Sequence, residues 1–242
     1  STITYRFTLK TMKQKFTSNG WLVVNKPEGV ESFGVIRKLK FCYQFHKIGF
    51  AGTLDPLASG ILLIGINRAT KLIPKIHLSK KSYEVQVRFG ATTPTLDSEG
   101  RYTSLDPVVH DLQDRLHHIK KFIGTYQQKI PNFSAHKKEG KNFYELARNN
   151  EEMEDRYKQV SISSLKVLYS NLSTLGIELE CQTGFYVRAF ASELASSLGD
   201  KGYASYIKRL KIGEFSMDCS VDYEKILDFS SINDLDTHLI SI

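Results

Sequence analysis

Cysteine is scarce in this sequence, and the little there is builds no framework. Cys42, Cys181 and Cys219 lie far apart and are odd in number, which argues against a disulfide scaffold and for a reducing compartment. Metal ligands are equally unorganised. His117 and His118 are neighbours that would face different sides of a helix, and Cys42 with His46, at i and i+4, has no second pair to complete a ligand set. Long apolar runs are missing. The longest, Gly60-Ile61-Leu62-Leu63-Ile64-Gly65-Ile66, is far shorter than the roughly 18 residues that span a bilayer and suits a buried strand. No phosphate-cradling glycine loop, internal repeat or low-complexity linker occurs, so no metal, cofactor or membrane partner is implied. Residues 1–27 contain no carboxylate but carry Arg6, Lys10, Lys13 and Lys15 among many Ser and Thr. They read either as an organelle transit segment or as an extension ahead of a natural start at Met12, without a secretory core.

What is present is a basic chain of 242 residues with a net charge of +7, 41% hydrophobic and 24% charged, long enough to bury a sizeable core. The charge favours a polyanionic partner, because Lys and Arg that neutralise phosphates release counterions. Residues 21–25 predict a short buried strand, and 33–44 a helix capped by Ser32, with Val35, Ile36, Leu39, Cys42 and Tyr43 at helical spacing. A glycine-punctuated loop over 49–60 leads to the strand 60–66. Tyr83, Val85, Val87 and Phe89 alternate with Glu84, Gln86 and Arg88, a strand period. Loop then runs to 106, and a helix from Pro107 and Asp111 to 122. An exposed basic loop over 129–142 holds Lys129, Lys137, Lys138 and Lys141, and a short helix follows over 144–148. Strands at 159–169 and 175–181, helices at 189–198 and 203–209, and a last strand at 213–219 complete the pattern. Strands and helices mix without a βαβ repeat, which predicts an α+β fold with a largely antiparallel sheet.

The segment Gly52-Thr53-Leu54-Asp55-Pro56-Leu57-Ala58-Ser59-Gly60 admits two physical readings. Glycines permit tight turns, and Pro56 stiffens the residue after the acid, so a carboxylate on a rigid elbow could serve as nucleophile or base. Alternatively Asp55 caps a helix with Pro56 at its first position.

This nonapeptide resembles the catalytic motif of the TruB family of tRNA pseudouridine synthases. Further likenesses follow in order. Asn25-Lys26-Pro27-Glu28-Gly29 resembles the family's N-terminal motif, and Lys81-Ser82-Tyr83-Glu84-Val85 its tyrosine segment. Phe133-Ser134-Ala135-His136-Lys137 and Tyr144-Glu145-Leu146-Ala147-Arg148 resemble its RNA-gripping insertion. Cys181 through Arg188 resembles its arginine motif, and Tyr206-Ile207-Lys208-Arg209-Leu210 its late hydrophobic-basic motif. The resemblance implies a catalytic domain over 20–221 with an insertion near 129–150, an extension over 1–19, and a C-terminal tail over 222–242 in place of the PUA-like module many relatives carry. It implies isomerisation of a T-loop uridine of tRNA with no cofactor. The base leaves the stack first. Asp55 then acts by attack on C1′, attack on the pyrimidine, or proton abstraction from the sugar.

The resemblance also assigns roles. Arg188 pairs with Asp55 and keeps it ionised and oriented. Tyr83 stacks on the flipped base and extends to proton transfer. Tyr186, Ile207, Phe50 and Leu54 line the substrate pocket. Lys26, Lys129, Lys137, Lys138, Lys141, Arg148, Lys208 and Arg209 contact RNA, Lys26 alternatively shaping the loop that supports the catalytic one. Phe50 departs from the family, where many relatives have a histidine in a Gly-His-x-Gly context; here the run is Gly49-Phe50-Ala51-Gly52. The expectation is a monomeric cytoplasmic tRNA pseudouridine synthase, with an RNA-binding chaperone that keeps the fold as the alternative.

Overall fold

In chain order the main elements are β1 (Gly20–Lys26), α1 (Ser32–Cys42), β2 (Ile48–Ala51), β3 (Ser59–Ile66), α2 (Ile73–His77), β4 (Lys81–Phe89), α3 (Leu112–Ile119), β5 (Gly124–Lys129), β6 (Tyr157–Ser170), β7 (Thr174–Cys181), α4 (Val187–Ser197), β8 (Gly202–Ile212), β9 (Val221–Asp222), α5 (Tyr223–Leu227) and α6 (Ile232–Asp236). They come from a computed structural model that describes residues 15–108, 110, 112–131, 137–138, 141–142 and 156–242. The chain forms two compact units. One comprises the residues up to Ser79 together with Leu210–Ile242, the other Lys80–Arg209.

In the first unit β1 and β3 pair antiparallel along their whole lengths, Gly20 opposite Ile66 and Lys26 opposite Gly60. β2 adds antiparallel to β3, with Phe50 opposite Ile64, and β9 runs parallel to β1. The run at 60–66 is apolar throughout because both faces of its strand are covered. Leu22, Val24, Leu62, Ile64 and Ile66 pack under the inner face of α1, formed by Val35, Ile36, Leu39, Cys42 and Tyr43. On the opposite face Trp21, Val23, Ile61 and Leu63 meet Ala69 and Ile212. Ser32 does not cap α1. Glu31 holds that position without a side-chain bond, and Ser32 is the first helical residue, buried. The loop expected over 49–60 begins instead as β2. Residues 222–242, expected as a tail, complete the core: Tyr223, Ile226 and Leu235 join the α1 cluster, the Tyr43 hydroxyl donates to the Ile226 carbonyl at 2.7 Å, and Trp21 and Ile240 exchange backbone hydrogen bonds at 2.8 and 2.9 Å.

In the second unit the strand order is β8-β4-β7-β6-β5, with β4, β7, β6 and β5 successively antiparallel. The alternation at 83–89 holds. Lys81, Tyr83, Val85, Val87 and Phe89 are buried on one face, and Tyr83 stands opposite Leu179 of β7. The helix expected at 203–209 is overturned, since these residues lie in β8. The strand expected over 213–219 shrinks to Phe215–Ser216, followed by a 3-10 turn at Met217–Cys219. Within the expected basic loop, Lys137–Lys138 pairs antiparallel with Lys141–Asn142. The helix expected at 144–148, Arg148 included, lies outside the described residues, as does most of the segment 133–137. The architecture is α+β, with mixed parallel and antiparallel pairing.

Candidate active site

In the first unit Asp55 stands on the connection from β2 to β3, half-buried. No helix starts at Pro56. The Ala58 N–H donates to the Asp55 carbonyl at 3.0 Å and closes a turn, so the helix-cap reading of Asp-Pro gives way to the elbow. Gly52 and Gly60 flank it with φ of 72° and 94°, values that a side chain would strain.

The elbow is pinned from two sides. Lys26, expected among the RNA contacts, is wholly buried. Its ammonium donates to the carbonyls of Pro27 at 2.8 Å, Val30 at 2.7 Å and Pro56 at 3.2 Å, while the Gly29 N–H donates to the Pro56 carbonyl at 2.8 Å. Those bonds correct the assignment: the cation ties the 27–30 turn to the residue after Asp55. On the other side the Ser32 hydroxyl donates to the Leu54 carbonyl at 2.9 Å and accepts the Leu54 N–H at 3.0 Å. The Leu54 side chain is itself buried. Ser32→Ala leaves two buried backbone groups of Leu54 without this partner, at about 1–3 kcal/mol each. The expected outcome is a urea midpoint lowered correspondingly and a reduced turnover, while Ser32→Thr retains most of both. Phe50 is half-buried on β2, and its ring meets Phe33 edge-on with centroids 5.1 Å apart at 80°.

In the second unit Arg188 is buried near the start of α4. Its Nη1 donates to the Thr95 carbonyl at 2.8 Å, and its Nε lies 3.7 Å from Asp97 Oδ2. Asp97 is the residue that the sequence reading missed. Its Oδ1 accepts from the Thr95 hydroxyl at 2.6 Å and from the Glu99 N–H at 3.1 Å. The Thr93 hydroxyl closes the loop on the Asp97 backbone, donating to its carbonyl at 2.7 Å and accepting its N–H at 3.1 Å. Leu96, between them, takes φ of 61°, a left-handed conformation that a leucine holds only where the surroundings impose it.

Tyr186, half-buried, immediately precedes α4. Gln128, fully buried on β5, grips its backbone: Oε1 accepts the Tyr186 N–H at 2.8 Å, and Nε2 donates to the Tyr186 carbonyl and to the Tyr126 hydroxyl, each at 3.1 Å. Glu193 of α4 accepts from the Lys129 N–H at 2.9 Å and the Tyr126 hydroxyl at 3.3 Å. Burial raises its pKa despite those bonds. The end of β5 is thereby clamped to the helix that carries Arg188. Gln128→Glu swaps the donor for a second acceptor facing a carbonyl. We expect a loss of about 1–3 kcal/mol in urea unfolding and a fall in kcat as Tyr186 shifts, whereas Gln127→Glu, at an exposed position, is silent.

Ile207 is buried on β8. Arg209, expected to contact RNA, is also buried, which corrects that assignment, whereas Lys129 is exposed and Lys208 half-exposed. Of the side chains of Lys137, Lys138 and Lys141, nothing lies within the described residues. Tyr83 is almost wholly buried, beside Lys81 on the same face of β4. Burial, then the positive charge of Arg209, pulls the Lys81 ammonium down to about 8, against about 10.4 in an unfolded chain. Between those values the unfolded chain binds the extra proton, so this group makes stability rise with pH across that window, and below pH 8 its charge costs stability. Lys81→Met is expected to raise stability at pH 7, by at most about 3 kcal/mol, and to flatten the rise above pH 8 in urea titrations.

Among the described residues there is no cluster of three His, Cys, Asp or Glu side chains that could hold a metal ion, and no helix is long and apolar enough to cross a membrane.

Comparison with known proteins places this geometry. Residues 40–187 match the TruB family pseudouridylate synthase (N terminal domain). A tRNA pseudouridine synthase B of Clostridium kluyveri is 36% identical over 216 residues, covering 87% of this chain and 75% of the relative. One from Parabacteroides distasonis is 36% identical over 225 residues, covering 90% and 96%. Among solved structures, a chain of an H/ACA RNP bound to a substrate RNA containing 2′-deoxyuridine has a TM-score of 0.67 at 18% identity, and one from a Cbf5-Nop10-Gar1 complex 0.67 at 19%. Both cover 90% of this chain, which spans a little over half of theirs, 55% and 56%; that likeness shows the fold. A family match over more than half of the sequence, with relatives above 30% identity along most of both lengths, means that the chain belongs to the TruB family of pseudouridylate synthases.

Proposed function

We propose that this chain isomerises uridine to pseudouridine in the T loop of tRNA, as a cytoplasmic monomer, with Asp55 as the essential group. The observation that carries the reading is the elbow. A carboxylate sits in the family's catalytic motif, half-buried, with backbone bonds fixing the residues on both sides of it.

The chemistry asks for such a group. Breaking the bond from C1′ to the base develops positive charge on the ribose, which a fixed carboxylate stabilises, as in glycosidases. The base must then rotate and rejoin through carbon while still held, so the site needs an apolar pocket with an aromatic face. In this reading Tyr83 faces the flipped base, Tyr186 and Ile207 complete the pocket, and Arg188 orients Asp55. Lys129, Lys208 and the lysines at 137, 138 and 141 take phosphates. Three routes for Asp55, through C1′, the pyrimidine or a sugar proton, stay open.

The test uses unmodified tRNA carrying tritium at uridine C5. Release by the purified protein, mapped to one T-loop uridine by carbodiimide primer extension, is the expected result. Saturable tRNA binding without release overturns it and favours the chaperone alternative, for which Phe50→His is then the informative variant.

A further inference from the structure

Much of the outer face of α1 is exposed among the described residues. Val35, Ile36, Leu39 and Cys42 turn the helix inward, while Phe33 and Phe41 are 65% and 55% exposed. These two phenylalanines and Arg37 recur every fourth residue and form one ridge. Beside it Gly34, Arg37, Lys38 and Phe41 line an open concavity of about 430 Å³. From Ser32 to Leu54 the chain carries one arginine, three lysines and no carboxylate. Glu31, just ahead of the helix, reaches Arg37 at 3.6 Å from an exposed position, where such a pair is worth little.

Exposed rings alternating with cations and free of carboxylates are the composition of a stacking platform for unpaired nucleotides, in which bases lie on aromatic faces and Arg or Lys tracks the backbone. A protein partner fits less well, because the centres of such interfaces are depleted in lysine. The length is suitable. Phe33 and Phe41 are about 12 Å apart along the helix axis, the rise of about three to four stacked bases. The ridge also begins at the catalytic elbow: Ser32 holds Leu54, and Phe33 meets Phe50. We infer that the outer face of α1 is a second RNA-contact surface, where Phe33 and Phe41 stack on bases flanking the target uridine and Arg37 and Lys38 hold the phosphates between them. This rests on the tRNA reading given above.

The experiment measures binding of an unmodified T-arm stem-loop across a salt series, together with tritium release under single turnover at saturating RNA. Phe41→Ala is expected to weaken binding by about tenfold, Phe41→Trp to restore it and Phe41→Leu not to. Arg37→Ala with Lys38→Ala is expected to reduce the slope of log K against log salt by about 0.7 for each phosphate that is no longer neutralised. The saturated rate stays at the wild-type value in all of them. Wild-type affinity and slope in these variants, with an active wild type, overturn this proposal alone. An equally good Phe41→Leu variant assigns the ridge to simple apolar docking and also overturns it. So does a wild-type dimer, seen by sedimentation, that Phe41→Ala dissociates without change in RNA affinity. If the wild type releases no tritium, the tRNA reading fails and this proposal falls with it.

Discussion

Asparagine in place of Asp55 is expected to lower tritium release from tRNA by at least about 10⁴-fold, the scale on which enzymes lose rate when the group that does the chemistry is removed. The substitution conserves shape and touches none of the bonds that fix the elbow. Lys26 still reaches Pro56, Gly29 still donates to the same carbonyl, and Ser32 still brackets Leu54. Loss of the charge that Arg188 is proposed to face lowers the urea midpoint at unchanged slope, yet the protein stays folded in the absence of urea, and T-arm RNA should still bind. That combination separates a chemical defect from a folding one, which a drop in activity alone does not. Residual release within a hundredfold of the wild type would mean that another group carries the reaction. Asp97, the buried carboxylate beside Arg188 in the second unit, would then be the first to test.

The contrast between Asp55 and Asp97 shows how far a sequence can be read. Asp55 sits in a contiguous motif whose glycines and proline have local mechanical meaning, and the elbow that carries it was legible from nine residues. Asp97 lies in a loop rich in Thr, Pro and Asp, where periodicity carries no signal. Its importance comes from Arg188, ninety-one positions later in the chain, and only folding brings the two together. Lys26 and Arg209 failed in the opposite way. A cation in a basic protein that handles RNA reads as a phosphate contact; the carbonyls around Lys26 select its other reading, support of the catalytic loop, and only burial reveals a structural role for Arg209. At 203–209 the pattern itself misled. Tyr203 and Ile207 recur at helical spacing, but Ala204 and Arg209 are buried with them, and a strand covered on both faces loses the alternation that would have marked it. The packing of residues 222–242 was not legible because their few apolar residues cannot form a core alone. They complete one already built on α1 and β1. Alternation at 83–89 and the helical face of 33–44 were legible because each has one wet side and one dry.

Removing the Arg188 guanidinium should damage both stability and rate, and the two can be separated. Arg188→Met deprives buried Asp97 of its countercharge and the Thr95 carbonyl of a donor. Breaking a buried pair from one side costs about 3–5 kcal/mol, to be read as a lowered urea midpoint at unchanged slope. Asp97→Asn removes the opposite charge and leaves the loop the amide oxygen to accept from Thr95 and Glu99, so its cost should be smaller. The double variant should be more stable than Arg188→Met alone, because Asp97 no longer carries a charge that has lost its Arg188 countercharge. Activity should behave differently. If Arg188 orients Asp55, as proposed, the double variant regains stability but not turnover, and Arg188→Lys, which keeps the charge and loses the planar fork, stays well below the wild-type rate. A double variant that recovers both folding and turnover would reduce Arg188 and Asp97 to a structural pair and leave Asp55 to be oriented by its elbow alone.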